Sequence, residues 1–178
     1  MRIISGKYKG KKLKEFNLNT TKPTLDRVKE SIFNLIQFDI ADAVVLDLFA
    51  GTGALGIEAI SRGSLLTHLV DSNNQAIKII KENLQNIQGE YVVYNLDFKT
   101  FLNNTKTKYD IVFLDPPYKT DYGIQAIKIL MENNLLNDNA IIIFETSEEN
   151  QISLNLDNFE ISKKKYGSVI VFKLTKRN

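Results

Sequence analysis

The sequence predicts an α/β fold in three αβα layers: a mostly parallel sheet with helices on both faces and an antiparallel hairpin at its C-terminal end. Between residues 43 and 144, short apolar runs of strand length alternate with amphipathic helical stretches. That alternation is typical of parallel strands joined by covering helices. After residue 158, two strand-like runs follow each other with only a short turn between them. Because no helix intervenes, we expect those two strands to pair antiparallel at one edge of the sheet.

The predicted elements follow this order along the chain. Pro23 marks a boundary, and apolar residues on one helical face predict a helix from Thr24, as N-cap, to about Phe38. Strands are then predicted at 43–48, 65–70, 91–94, 111–114 and 141–144, and helices at 54–62, 76–87 and 125–132, with a short segment around Phe101. The hairpin strands are 159–164 and 169–174, joined at Tyr166-Gly167.

Composition limits the class of protein. The chain has 178 residues, 43% hydrophobic and 25% charged, which fits one globular domain that needs no disulfide or metal to build a core. It has no cysteine, and its one histidine, His68, falls in a predicted strand, so we expect a core histidine and no metal site. No apolar run approaches the roughly 18 residues of a membrane span, and no apolar signal segment follows Met1. We therefore expect a cytoplasmic monomer without membrane contact.

Positive charge is concentrated near the N-terminus. Residues 1–30 carry a net charge of +6, and the remaining residues carry −4. A basic arm on a mildly acidic body can bind phosphates, although such lysines also simply hydrate an extension. We expect residues 1–22 to form a basic extension, partly a small hairpin, before a domain at 23–178. The candidate nucleic-acid contacts are Arg2, Lys7, Lys9, Lys11, Lys12, Lys22 and Arg27, and a second basic group (Lys163, Lys164, Lys165, Lys176, Arg177) suits either role.

A glycine-rich turn follows the first predicted strand. Gly51, Gly53 and Gly56 match G-x-G-x-x-G, and Asp71 lies 20 residues beyond Gly51 at the end of the next strand. Taken alone, this fingerprint indicates a dinucleotide such as NAD. Asp47, however, ends the first strand and would repel a pyrophosphate, whereas it would attract the cationic S-adenosylmethionine (SAM). Asp47 therefore favours SAM.

Further side chains are assigned to the same cofactor. Asp71 is expected to accept hydrogen bonds from both ribose hydroxyls, since a carboxylate has two acceptor oxygens. Asp97 is expected at the adenine amine, with Phe98 against the ring; the alternative for Asp97 is a helix N-cap or a solvated loop. The adjoining candidates are Phe49, Ala50 and Ser72.

The segment Asp115-Pro116-Pro117-Tyr118 follows the fourth predicted strand and is the most specific motif. Two prolines fix the backbone and remove two donors, so the carbonyls of Asp115 and Pro116 remain as rigid acceptors. An exocyclic base amine needs such acceptors: when both N–H groups are held, its lone pair points outward for attack on a methyl group. Tyr118 can stack on the extruded base. These four residues are the candidate catalytic group.

The motifs DLFAGTGALGIEAISRG and DPPY resemble those of class I SAM-dependent methyltransferases, which have a Rossmann-like fold. Three more segments, RIISGKYKGKKL, KPTLDRVKESIFNLI and YGSVIVFKL, extend the resemblance over nearly the whole chain to the bacterial 16S rRNA guanine-N2 methyltransferases of the RsmD family. The resemblance implies SAM as cofactor, S-adenosylhomocysteine (SAH) as product, and a guanine of 16S rRNA or the small ribosomal subunit as substrate.

Three other functions remain open from the residues themselves. The DPPY motif alone would equally suit transfer to adenine N6 in DNA or RNA. The glycine fingerprint alone would suit an NAD-dependent oxidoreductase. The third is an RNA-binding assembly factor that keeps this fold but catalyses no reaction. The presence of Asp115 and Tyr118 argues against it, because such a protein would not need them.

Overall fold

The computed structural model describes residues 1–16, 23–147 and 156–177, and side chains of the first helix from Asp26 onward. The chain forms α1 (Pro23–Leu35), β1 (Val44–Leu48), α2 (Ala54–Ser61), β2 (Leu66–Asp71), α3 (Asn74–Asn83), β3 (Tyr91–Asn95), α4 (Phe98–Asn104), β4 (Tyr109–Leu114), α5 (Tyr122–Glu132), β5 (Leu136–Thr146), β6 (Phe159–Tyr166) and β7 (Val169–Lys176). No helix in these described ranges is long and apolar enough to cross a membrane.

The strands of the described ranges form one sheet of seven in the order β3-β2-β1-β4-β5-β7-β6. The first five strands pair in parallel, and β7 pairs antiparallel with both β5 and β6. The predicted α/β class and C-terminal hairpin are therefore confirmed. Strand order reverses between β1 and β4, which places a crevice at the carboxyl ends of those two strands.

Helices cover both faces of the sheet, so three layers form as predicted. On one face, Val45, Ile111 and Phe113 pack under α1, with Ile32 and Phe33 of that helix fully buried. The adjoining part of this face packs against α2 and α3. On the opposite face, α4 and α5 cover alternate residues of the same strands. Each buried aliphatic or aromatic side chain stabilises the fold by about 1.5–3 kcal/mol.

Several boundaries differ from the sequence expectation. The first helix begins at Pro23, so Thr24 lies inside its first turn and is not the N-cap, and the helix ends at Leu35 instead of Phe38. Proline suits the first helical position because its fixed φ is already helical. The segment around Phe101 is a helix, and β5 begins at Leu136 instead of Ile141. His68 is buried and its Nδ1 lies 2.9 Å from the Tyr109 hydroxyl, which confirms the expected core histidine.

Residues 1–15 pack against the body of the protein. Arg2 and Lys12 form an antiparallel bridge, and Ile3 and Leu13 are buried between α2 and α3. Glu58 of α2, itself fully buried, accepts hydrogen bonds from the amides of Ile4 (2.8 Å) and Ser5 (2.9 Å).

The same carboxylate holds two cations. Lys29 of α1 contacts Glu58 at 3.0 Å and donates to the Arg2 carbonyl at 2.9 Å, while Arg62 contacts Glu58 at 2.8 Å. A buried charge needs such partners because desolvation alone would make it strongly unfavourable. Glu58 therefore ties α1, α2 and the N-terminal residues together.

Candidate active site

A cavity of about 660 Å³ opens at the carboxyl ends of the parallel strands, a size typical of small-molecule sites. It is lined by Phe16, Phe49, Gly51, Val70, Asp71, Ser72, Asn73, Ala76, Leu96, Asp97, Phe98, Lys99, Asp115, Pro116, Pro117, Tyr118 and Tyr122. A smaller cavity of about 230 Å³ adjoins it, and the two share Phe49, Gly51 and Asp115. Asp47 and Ala50 line this smaller cavity. The crevice thus gathers nearly all predicted cofactor and catalytic residues.

The glycine turn fixes the position of Asp47. Gly53 has a φ of 77° at the N-cap of α2, a conformation that glycine adopts without a Cβ penalty. Gly56 donates its amide to Asp47 Oδ2 at 2.8 Å, and a Cβ at Gly56 would lie 2.9 Å from Leu69 Cδ2 and 3.0 Å from that oxygen. Only a residue without a side chain allows α2 to approach β1 and β2 so closely. A Cβ at Gly53 would lie 3.2 Å from side-chain atoms of Leu69, Ile57 and Ile80, and Gly53 lines neither cavity.

Asp71 links the ends of β1 and β2. Its Oδ2 accepts the Gly51 amide and its Oδ1 accepts the Asn73 amide, both at 2.8 Å. Each oxygen keeps a second lone pair for a ligand hydroxyl. Ser72, next in the chain, is exposed and also lines the cavity.

Phe49 begins the turn in a strained backbone conformation. Its φ is 73°, which costs an aromatic residue on the order of 1–3 kcal/mol. In this conformation the ring packs on Phe98 with centroids 5.1 Å apart, and Phe98 packs in turn on Tyr122 at 5.2 Å. Strain of this kind is concentrated at functional sites, and here it builds an aromatic wall of the larger cavity.

Asp97 is the N-cap of α4. Its Oδ1 accepts the amides of Lys99 (3.1 Å) and Thr100 (3.0 Å), and its Oδ2 accepts the Thr100 hydroxyl. The hydrogen bond from that hydroxyl and those from the amides hold the pKa of Asp97 below its usual range. Asp97 also borders the cavity, so the adenine contact stays a prediction beside this capping role.

The Asp115–Tyr118 loop leaves β4 at the same end of the sheet. Pro116 is buried, whereas Asp115 and Pro117 are solvent-accessible and Tyr118 is 58% exposed. Thr120 donates its hydroxyl to the Pro117 carbonyl at 2.7 Å, which braces the loop. The Tyr118 ring is therefore available at the cavity mouth.

Three carboxylates form a row across adjacent strands. Asp47 pairs in register with Phe113, and Phe113 pairs with Ile143, so Asp115 and Glu145 follow two residues later on the same face. Asp47, Asp115 and Glu145 all line the smaller cavity. Glu145 was not predicted from the sequence. Its signal was present, since it lies directly after the fifth predicted strand as Asp115 lies after the fourth.

The pKa values of this row are raised. Burial raises the pKa of Asp47 to about 7, against a lowering hydrogen bond from Gly56. Burial also raises the pKa of Glu145 well above its usual range, and the charges of Asp115 and Asp47 raise it further. Desolvation by the surrounding protein raises the pKa of Asp115 to about 6. A cation in this cavity would favour the ionised form of all three. Within residues 1–16, 23–147 and 156–177, no three histidine, aspartate or glutamate side chains are arranged so that they could hold a metal ion.

The predicted RNA-contacting residues are not all brought to the crevice. The amide of Lys7 donates to the carbonyl of Ser61, at the end of α2 farthest from the glycine turn. The Lys7 ammonium donates to Gln88 and the Lys11 ammonium to the Gln85 carbonyl, beyond the end of α3. Arg2, Lys9, Lys12 and Arg27 are exposed, and Lys22 lies outside the described residues. Met1 and Phe16, by contrast, line the two cavities.

Comparison with known proteins gives one consistent picture. The family model described as conserved hypothetical protein 95 matches residues 1–174. Ribosomal RNA small subunit methyltransferase D of Haemophilus influenzae is 35% identical over 179 residues, which covers 98% of this chain and 92% of that protein. The protein of the same name from Escherichia coli K12 is 34% identical over 178 residues, covering 99% and 90%. The solved structure of the Escherichia coli protein yhhF superposes with a TM-score of 0.89 at 32% identity, covering 99% and 98%.

Proposed function

This chain belongs to the family of conserved hypothetical protein 95, the family of ribosomal RNA small subunit methyltransferase D, and on that premise we propose that it methylates ribosomal RNA. The specific reaction is transfer of a methyl group from SAM to the exocyclic N2 amine of a guanine in 16S rRNA, at guanine 966. The observation that carries the proposal is the opening of the Asp115–Tyr118 loop onto the same cavity as Gly51 and Asp71.

The chemistry of the crevice supports SAM as cofactor and SAH as product. When bound, SAM supplies a methyl group on a cationic sulfonium. The carboxylates of Asp47 and Asp71 border the two adjoining cavities and would attract a cation. The same carboxylates would repel the pyrophosphate of a dinucleotide. The acidic lining therefore favours SAM over NAD.

Asp115 has the role of orienting the target amine. Its carboxylate accepts one N–H of the amine, and the Pro116 carbonyl, which proline rigidity holds in place, accepts the other. With both hydrogens held, the nitrogen lone pair points away from these acceptors and toward the cofactor side of the crevice. As the nitrogen gains its new bond it must lose a proton, and the raised pKa of Asp115 makes this carboxylate a better acceptor for that proton.

Tyr118 has the role of holding the base. A base in a duplex is out of reach of a crevice, so it must be extruded or single-stranded. The exposed ring of Tyr118, which lines the same cavity as Tyr122 and Phe98, offers a stacking surface worth roughly 1–3 kcal/mol to any base. Stacking therefore captures the base, and hydrogen bonds at its edge select it.

The proposed partner is 16S rRNA, free or within the small ribosomal subunit, and the proposed state is a cytoplasmic monomer. Of the predicted N-terminal contacts, Arg2, Lys9, Lys12 and Arg27 are exposed and can reach RNA phosphates. Such contacts position a substrate and carry no sequence information of their own.

The test is methylation of 16S rRNA in two forms, a bare transcript and isolated small subunits, with SAM labelled in its methyl group. Digestion to nucleosides and mass spectrometry identifies the product, and fragment mapping gives its position. The proposal predicts labelled N2-methylguanosine. Labelled N6-methyladenosine would overturn the guanine reaction in favour of the adenine reaction. The absence of label from both RNAs would overturn methyl transfer and favour an assembly factor.

A further inference from the structure

Glu145 is a carboxylate of the crevice to which the proposed transfer gives no role. Leu114 pairs with Phe144, so Asp115 and Glu145 are the next residues along two adjacent parallel strands. Both line the smaller cavity. Tyr118 and Asp115 line the larger cavity together, and the charges of Asp115 and Glu145 help to raise the pKa of the Tyr118 hydroxyl after the larger effect of burial. Glu145 is thus placed beside the proposed base and the group that orients its amine.

The fold itself does not use this carboxylate. Within the described parts of the chain, no hydrogen bond or ion pair engages the side chain of Glu145. Its neighbours Asp47 and Asp115 are acidic, so its ionised form is opposed by like charge as well as by partial burial. A polar side chain that lowers stability and lines a cavity is typical of a binding role.

The two amino-bearing purines differ at the ring atom beside the amine. Guanine carries a hydrogen on N1 next to its N2 amine, so this edge presents adjacent donors. Adenine has an unprotonated N1 next to its N6 amine, so its edge presents a donor beside an acceptor. An ionised carboxylate can only accept hydrogen bonds. A second carboxylate beside Asp115 therefore matches guanine and opposes adenine.

We propose that Glu145 selects guanine by accepting the N1–H hydrogen bond while Asp115 accepts an N–H of the N2 amine. This inference rests on the proposed function, because it needs a guanine amine as the methyl acceptor. Two carboxylates on adjacent strands thus accept hydrogen bonds from two adjacent donors of guanine, N1–H and the N2 amine. Ligand hydrogen bonds would also offset the repulsion within the acidic row, because each N–H donor favours the ionised form of its acceptor.

The experiment uses an RNA fragment that carries the mapped target nucleotide, synthesised with either guanine or 2-aminopurine at that position. Both bases have the 2-amino group, but N1 of 2-aminopurine is an acceptor. Single-turnover methylation of each RNA is measured with the wild type and Glu145→Gln. The amide of glutamine both donates and accepts, so it can pair with either N1. Glu160→Gln, on exposed strand β6, is the matched control.

We expect the wild type to prefer guanine by about 100-fold and Glu145→Gln to prefer it by less than about tenfold. The loss of O6 in 2-aminopurine affects both proteins, so the change in the ratio isolates Glu145. An unchanged ratio in Glu145→Gln would overturn the inference, as would a loss of SAM affinity that explained the entire change. Absence of transfer to guanine by the wild type would instead overturn the proposed function.

Discussion

The amide of Gly56 donates to Asp47 Oδ2 at 2.8 Å, and a Cβ at Gly56 would lie 3.0 Å from that same oxygen. The same glycine therefore allows α2 to lie close to the sheet and holds the buried Asp47 carboxylate in position. The third glycine of the motif allows the helix to approach, and the first two shape the turn before it.

Gly56→Ala is expected to destabilise the protein by about 1–3 kcal/mol through overpacking against Leu69 and Asp47. The sign of the change in the free energy of unfolding is informative, because replacing a helical glycine by alanine otherwise stabilises a protein by about 1 kcal/mol. Denaturant unfolding measures the change, and calorimetry should show weaker SAM binding because Asp47 is displaced. Equal or higher stability with unchanged SAM affinity would contradict the packing argument.

The two glycines of the N-terminal residues make a matched pair. Gly6 and Gly10 both have positive φ, 84° and 88°, but a Cβ would lie 1.9 Å from the Ser61 carbonyl at Gly6 and meets nothing within 4 Å at Gly10. Gly6→Ala should therefore cost more stability than Gly10→Ala and should speed hydrogen exchange at the buried Ile3 and Leu13. If the two variants behaved alike, the docking of residues 1–15 would contribute little to stability.

The pKa of Asp47, about 7 in the fold against an ordinary value of 3.8, predicts how stability depends on pH. The folded state holds this proton more tightly than the unfolded state does, so the contribution is complete below about pH 4 and disappears as pH rises through about 7. Its size is on the order of 4 kcal/mol. Unfolding of the ligand-free protein between pH 4 and 8 should show the decrease, to which the raised pKa values of Asp115 and Glu145 also contribute, and Asp47→Asn should make the decrease smaller. A stability that rises over this window and is unchanged in the variant would be inconsistent with a buried, protonated Asp47.

Tyr118 separates stacking from hydroxyl chemistry. If its exposed ring holds the base, Tyr118→Phe should keep most activity and Tyr118→Ala should lose roughly 10–100-fold, since the ring provides the contact. Single-turnover methylation of 16S rRNA measures both variants. Equal damage by both substitutions would assign the function to the hydroxyl.

The exposed cations predict a salt dependence of RNA binding. Replacing Arg2, Lys9 and Lys12 by glutamine should flatten the log-log dependence of RNA affinity on salt by roughly 0.7–0.9 for each phosphate that the protein no longer neutralises. Lys7→Gln and Lys11→Gln, whose ammonium groups already contact Gln88 and Gln85, should change it less. If Lys7→Gln and Lys11→Gln had the larger effect, the RNA-binding surface would instead lie at the C-terminal ends of α2 and α3.

The sequence predicted the order of elements because their periodicity changes clearly from strands to helices. It also predicted the crevice, because Gly51, Asp71 and Asp115 each follow a strand and parallel strands end at one edge. The residue-level roles at these positions, including Asp71 at the ribose and Asp97 at the adenine, remain predictions.

Other features depend on tertiary contacts that no local pattern reveals. Glu145 directly follows the fifth predicted strand, but only the pairing of Leu114 with Phe144 shows that it lies beside Asp115. The start of β5 was missed because polar residues at 137–139 interrupt its apolar run. The docking of the N-terminal residues depends on Glu58, whose partners lie 53 and 54 residues away in the chain.

The central claim, that Asp115 orients the target amine in a crevice that holds SAM, is tested most directly by Asp115→Ala. SAM affinity by calorimetry and single-turnover methylation of 16S rRNA are measured on the same preparation. Loss of one well-placed electrostatic partner of a reacting group lowers the rate about 10²-fold or more. We predict a loss of this size with SAM affinity within about threefold of the wild type. Near-normal methylation by the folded variant would contradict the account.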